Sequence, residues 1–236
     1  MKVRALFVAV SLLPLVGGCA LFDPTFGADP INSQIVDEDT GEPIEGAVVV
    51  AHWQLNGGSI SAMPCGSANV EEAVTDRDGR FHLPGWGPVR SGCASEMRIG
   101  EPVLYVFKAE YDYGFFPNGS GTETVTVTHS SFDGRQLSLQ KYPDMDLRKE
   151  GPHSYRFNFG ELNGELSNFT ASMPGECNWK KMPAMLLAIG EMAQKFESTG
   201  SIPDTINNQL ITNDAWIQKI APQCGSPKAF IEGLVK

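Results

Sequence analysis

The residue types able to do chemistry are scattered along this chain. The four histidines, His52, His82, His129 and His153, stand singly, and no His-x-His pair occurs. None of the five cysteines forms Cys-x-x-Cys, so the strongest zinc and redox spacings are missing. There is no zinc-peptidase motif and no Gly-x-Ser-x-Gly elbow. Asp76, Asp78 and Gly79 begin like a calcium loop. A full loop needs an oxygen ligand at position 80 and Glu at position 87, and Arg80 and Gly87 stand there, so the turn reading wins. We therefore assign no catalytic residue, metal ligand or cofactor. Scattered carboxylates leave general acid–base work open.

The cysteines and the N-terminus speak to compartment. Lys2 and Arg4 precede an apolar stretch, Ala5–Val16, too short for an ordinary membrane span. It ends in Leu15-Val16-Gly17-Gly18-Cys19, which resembles a bacterial lipoprotein lipobox. Val16 stands where Leu is commonest, and Gly17 where Ala or Ser is common. The resemblance implies that Met1–Cys19 is a secretion signal and that Cys19 is lipidated and becomes the mature N-terminus. An ordinary signal peptide with an incidental Cys is the alternative. Acyl chains contribute about 0.8 kcal/mol per buried CH₂, and more than one gives stable anchoring. Ala20, not Asp, follows the Cys; in Gram-negative lipoproteins this implies the outer membrane. Secretion implies an oxidising compartment. Of the three pairings open to the other four cysteines, Cys65–Cys93 and Cys177–Cys224 keep each bond within one region. Free buried thiols are the alternative.

The stretch Tyr111-Asp112-Tyr113-Gly114-Phe115-Phe116-Pro117 is the best binding candidate. Tyr111, Tyr113, Phe115 and Phe116 on a loop could stack on sugar rings or grip a partner peptide. The alternative is that they cap the β core or receive the C-terminal helices. The formal net charge is −10, and removing a leader that holds two bases, Lys2 and Arg4, leaves −12. An acidic body argues against nucleic acid and against electrostatic docking on anionic lipid.

Two strand–turn–strand stretches organise these residues. One is Ile35-Val36-Asp37-Glu38-Asp39-Thr40-Gly41-Glu42-Pro43-Ile44-Glu45-Gly46-Ala47, running into the apolar Val48–Val50. The other is Ala73-Val74-Thr75-Asp76-Arg77-Asp78-Gly79-Arg80-Phe81-His82-Leu83, an Asp-Gly hairpin signal followed by period-2 alternation. The pair resembles a carboxypeptidase regulatory-like domain, which implies a transthyretin-type antiparallel β-sandwich. Families of that fold include intradiol dioxygenases and hydroxyisourate hydrolases. Their His-x-His ligands and Tyr-Arg-Gly-Ser terminus are missing here.

About seven strands are expected: 31–37, 47–55, 71–75, 80–83, 103–109, 122–128 and 136–140. A long loop holds Cys65, Gly85-Trp86-Gly87-Pro88 breaks the chain, and a second loop holds Cys93. Breakers through 141–175 predict a connection with little regular structure. From Met182 to Phe196 apolar residues recur at three and four steps, an amphipathic helix with Pro183 in its first turn. Further helices are expected over 214–220 and after Ser226-Pro227. The expected organisation is a leader (1–19), a tether (20–30), the β-sandwich (31–142), and a connection with a helical region packed on it (143–236). The function that follows is a lipid-anchored envelope protein with a non-catalytic binding or structural module, its partner an envelope protein or a glycan. A carbohydrate-binding module using 111–117 and an unrecognised envelope hydrolase are the alternatives.

Overall fold

The computed structural model describes residues 25–57, 63–90, 98–99, 101–117, 127–143, 145–200 and 203–235. Its strands are β1 (Thr25–Ala28), β2 (Ile31–Asp37), β3 (Val48–Gly57), β4 (Met63–Val74), β5 (Arg80–Leu83), β6 (Trp86–Arg90), β7 (Arg98–Ile99), β8 (Val103–Phe107), β9 (Gly114–Phe116), β10 (Val127–Thr128) and β11 (Gln136–Leu139). Five helices follow: α1 (Tyr155–Phe169), α2 (Pro183–Glu197), α3 (Ile206–Thr212), α4 (Asp214–Ile220) and α5 (Pro227–Leu234). The chain is thus mainly β with a helical C-terminal part.

The strands form three sheets, ordered β10-β1-β6, β11-β2-β5 and β4-β3-β8-β9, with β7 also on β3. Strand β3 is the hub. Its alternate residues Val49, Ala51, Trp53 and Leu55, with Leu104 and Val106 of β8, share one core with Ile31, Ile35, Phe81, Leu83, Leu137 and Leu139. Its other face, with Val48, Val50, Tyr105 and Phe107, shares a second core with Phe159, Leu162, Trp179, Met185 and Ile189 from the helical part. Strand β8 is buried throughout because both faces are covered.

The two signatures are tied together where their residue types require it. Asp37 Oδ1 accepts from the backbone N–H of Asp39 and Thr40, closing an Asx turn. Buried Thr75 accepts from Ala47 N–H at 2.8 Å and donates to Ile44 C=O at 2.6 Å. Gly79, at φ +69°, lets Ile35 N–H reach its carbonyl at 2.8 Å. The strands flanking the Asp-Gly turn do not pair with each other, however. Strand β4 joins β3 while β5 joins β2, so this turn crosses between sheets.

Several expectations are corrected. The described residues form eleven strands, where about seven were expected of the chain. The expected tether contains β1, whose Phe26 and Ala28 are buried and which pairs with β6 and β10. Cys65 lies in β4, not in a loop. Strand β4 is long because it follows β3 through two irregularities in register, although its first half has no apolar alternation. The Trp86–Pro88 break is itself strand β6. Pro88 is tolerated there because β6 is an edge strand. Part of the aromatic stretch is β9. The connection thought irregular holds α1, 15 residues long. Tyr155, Phe159, Leu162, Leu166 and Phe169 bury one stripe of it, and the breakers Gly160 and Gly164 sit exposed on the opposite face. Helix α3 was also unexpected; Thr205 caps it and Leu210 anchors it. Helices α2, α4 and α5 match their expected places. Of the expected strand 122–128, residues 127–128 form β10 and the rest lies outside the described residues.

Candidate functional site

Of the expected site residues, Cys19 and Cys93 lie outside the described residues. Cys65 is in β4, so its expected pairing with Cys93 is not placed. Cys177 and Cys224 form a disulfide with Cα atoms 5.3 Å apart, clipping the chain before α2 to the turn before α5. The aromatic stretch does not make one platform. Tyr111 donates to Asp37 Oδ2 at 3.0 Å, and burial together with that carboxylate raises its phenol to about 12. Tyr113 packs on the helix-side core and Phe116 on the sheet-to-sheet core, where it meets Phe132 edge-on. Phe115 stays 42% exposed beside Tyr105. Period-2 alternation in β9 puts Phe115 and Phe116 on opposite faces.

The residue of that stretch that reaches a site is Asp112. A hollow of about 330 Å³ opens where the β8–β9 turn, the chain after β11 and the first turn of α1 meet. Backbone bonds fix its rim: Asp112 N–H to Gln140 C=O at 2.8 Å, and Tyr142 N–H to Glu110 C=O at 2.9 Å. Ser154 starts α1 by accepting from Phe157 N–H. That places Tyr155 and Asn158 on the hollow. Asn158 gives both amide hydrogens, one to Asp112 Oδ1 at 2.8 Å and one to the Tyr142 hydroxyl. Its own Oδ1 has no partner among the described residues. Tyr142 meets Tyr155 edge-on at 5.1 Å. Burial, then the Asp112 charge, raises the Tyr142 phenol to about 12, so it stays a neutral donor. Tyr155 is 4% exposed. Among the described residues its hydroxyl, shielded from solvent, makes no hydrogen bond of good geometry, and the Glu110 backbone N–H beside it works against the burial that raises the phenol. Lys141, Pro143, Asp146, Lys149 and His153 complete the lining. This arrangement can hold a small polar molecule by fixed donors and acceptors against an aromatic wall.

A second polar cluster joins β3 and β4 to the helical part. His52 Nε2 lies 2.8 Å from Ser67 Oγ, and its ring stacks on Phe169 at 4.2 Å. Ser67 Oγ accepts from Asn178 Nδ2 at 2.9 Å, and Ser67 N–H donates to Glu176 Oε1 at 2.9 Å. A Ser–His contact invites a nucleophile reading, but the chemistry is against it. Burial, then the Lys181 charge, lowers the imidazole to about 4, which makes it a weak base at neutral pH. The Ser67 N–H that could receive an oxyanion is occupied by Glu176. The cluster is a lock between layers. Glu72 is another: its two oxygens accept from Ala184 and Met185 N–H, capping α2 from β4. Among the described residues no group of three or more His, Cys, Asp or Glu is placed to hold a metal ion.

Sequence reading missed Tyr142, Tyr155 and Asn158 because they lie in and beside α1. The available signal was Ser154 followed by apolar residues at 155, 159, 162 and 166.

No family model matches the chain, and no curated protein matches it. Among solved structures it is similar to a 9R-lipoxygenase from Cyanothece PCC8801, with 16% identity and a TM-score of 0.29 over 60% of this chain. It is also similar to a 3-chlorocatechol 1,2-dioxygenase from Rhodococcus opacus 1CP, with 12% identity and a TM-score of 0.29 over 51% of this chain. The chain spans 22% of the first and 62% of the second. Likeness this distant bears on neither fold nor activity.

Proposed function

We propose that this is a lipid-anchored cell-envelope protein whose body is a non-catalytic binding module. In this reading the β part is a transthyretin-like sandwich of carboxypeptidase regulatory-like type. The helical part is packed on one face, and Cys19 carries the anchor, in the outer membrane if the host has one. The observation that carries the binding reading is the hollow beside α1. There the Asp112–Asn158–Tyr142 network holds polar groups in place around open space.

Two measurements test this reading. Intact mass of the protein isolated from membranes should show a chain beginning at Cys19 with acyl mass on it; an unmodified Cys19 removes the anchor. Titration of the isotope-labelled protein with a broad set of small polar fragments should shift amide signals around Tyr142 and Asn158. A set that leaves those signals still removes the binding site.

A further inference from the structure

We propose that the hollow beside α1 takes the terminal ring of a neutral saccharide; this rests on the binding reading above and names its ligand class. The first argument is hydrogen-bond chemistry. A sugar hydroxyl donates and accepts at once, so it suits a wall where acceptors and donors alternate. Here the Asp112 carboxylate and Asn158 Oδ1 accept, while Lys141, Lys149 and His153 can donate. A simple carboxylate would use only the donors, and a simple ammonium only the acceptors.

The second argument is charge. Two carboxylates, Asp112 and Asp146, and two lysines, Lys141 and Lys149, line the same hollow, so neither an anion nor a cation is favoured overall. The third is shape. About 330 Å³ is at the small end of the roughly 300–1,000 Å³ of ligand pockets, enough for one or two rings. The Tyr142 ring, held edge-on to Tyr155, offers an apolar surface to the C–H face of such a ring. The fourth is preorganisation. Asn158 is already fixed by two donated bonds, so little ordering cost remains on binding.

The test uses the full mature chain, labelled for NMR. The neutral probes are glucose, galactose, mannose and N-acetylglucosamine, taken to about 50 mM to reach millimolar Kd values. Glucuronate, glucosamine and glycine are the charged probes. At least one neutral sugar should move the amide signals of Tyr142 and Asn158 more than any charged probe. Asp112→Ala takes an acceptor from the wall and should weaken that sugar about fivefold to tenfold. Lys149→Ala, on the exposed rim, should weaken it severalfold and guards against an Asp112 variant that folds poorly. Shifts from charged probes alone would overturn the saccharide class and leave the binding reading standing. Unchanged sugar affinity in both variants would overturn the proposal. Silence at the hollow with every probe, and with the fragment set, would overturn both.

Discussion

Acid should loosen the seam between the β and helical parts through one residue, His52. It is 4% exposed, stacked on Phe169 and bonded to Ser67. Burial, then the Lys181 charge, lowers its pKa from 6.5 to about 4. As pH falls, the unfolded chain takes up a proton at this position near 6.5, while the folded protein holds the ring neutral down to about 4. Unfolding therefore binds a proton in that window, and stability falls with pH. The slope is about 1.4 kcal/mol per pH unit, so the loss between pH 7 and pH 4 is about 3 kcal/mol, level below that. This is a large part of the 5–15 kcal/mol typical of a domain.

Other groups titrate in the same range, and some oppose the effect. Burial raises the Glu72 carboxyl, so the folded state binds its proton first and gains stability as pH falls. A difference between two proteins removes such terms. His52→Gln places an amide where Nε2 sits, keeps a partner for Ser67 and does not titrate. Urea unfolding followed by tryptophan fluorescence, at half-unit steps from pH 7 to 4, gives both stability curves. The wild-type advantage over His52→Gln should shrink by about 3 kcal/mol across the window. In Lys181→Met the charge that helps depress the imidazole is gone, and the shrinkage should be smaller. A wild-type minus variant difference that stays flat with pH would show that His52 is not held neutral, and the account of the seam would fail.

Three further outcomes follow from local geometry. Glu72→Ala removes the cap on the first turn of α2 and should cost about 1–2 kcal/mol, read as a lower urea midpoint at constant m. Replacing Cys177 and Cys224 by Ser opens a crosslink spanning 47 residues and should cost about 4 kcal/mol by denaturation. Gly79→Ala meets a left-handed φ and puts a Cβ 2.4 Å from Ile35 O, whereas Gly134→Ala meets a similar φ, +74°, with nothing within 4 Å. Gly134→Ala should cost about 1 kcal/mol and Gly79→Ala at least about 2; equal Tm losses would show that the contact between the two signatures is not tight.

How much of this was written legibly in the chain depends on how local each cause is. Strands 31–37 and 80–83 could be read because their alternation and their turns sit within a few residues of each other. The amphipathic stripe of α2 could be read for the same reason, with Pro183 at its start. Strand β6 could not, since Gly87 and Pro88 are poor strand residues by any local rule; its place is made by β1, about sixty positions earlier. The Asp-Gly turn was legible as a turn but not as a crossing, because the partner of each flanking strand is chosen elsewhere. Period 2 told which faces Phe81 and Leu83 share, not which sheet they join.

The hollow was hidden for a related reason. In the sequence the aromatic run 111–117 stands out by composition, and the eye groups its rings. In the fold, the two cores pull Tyr111 and Tyr113 to opposite sides, leaving the polar residue between them, Asp112, to face the open space. Its partners come from a segment whose glycines argue against regular structure. Gly160 and Gly164 each weaken a helix by about 1 kcal/mol against Ala, yet the buried stripe from Tyr155 to Phe169 outweighs that. The same helix that buries the Tyr155 ring brings Asn158 to Asp112 and Tyr142. The core that specifies the helix thus also fixes the polar network, and that network, rather than any motif, marks the site.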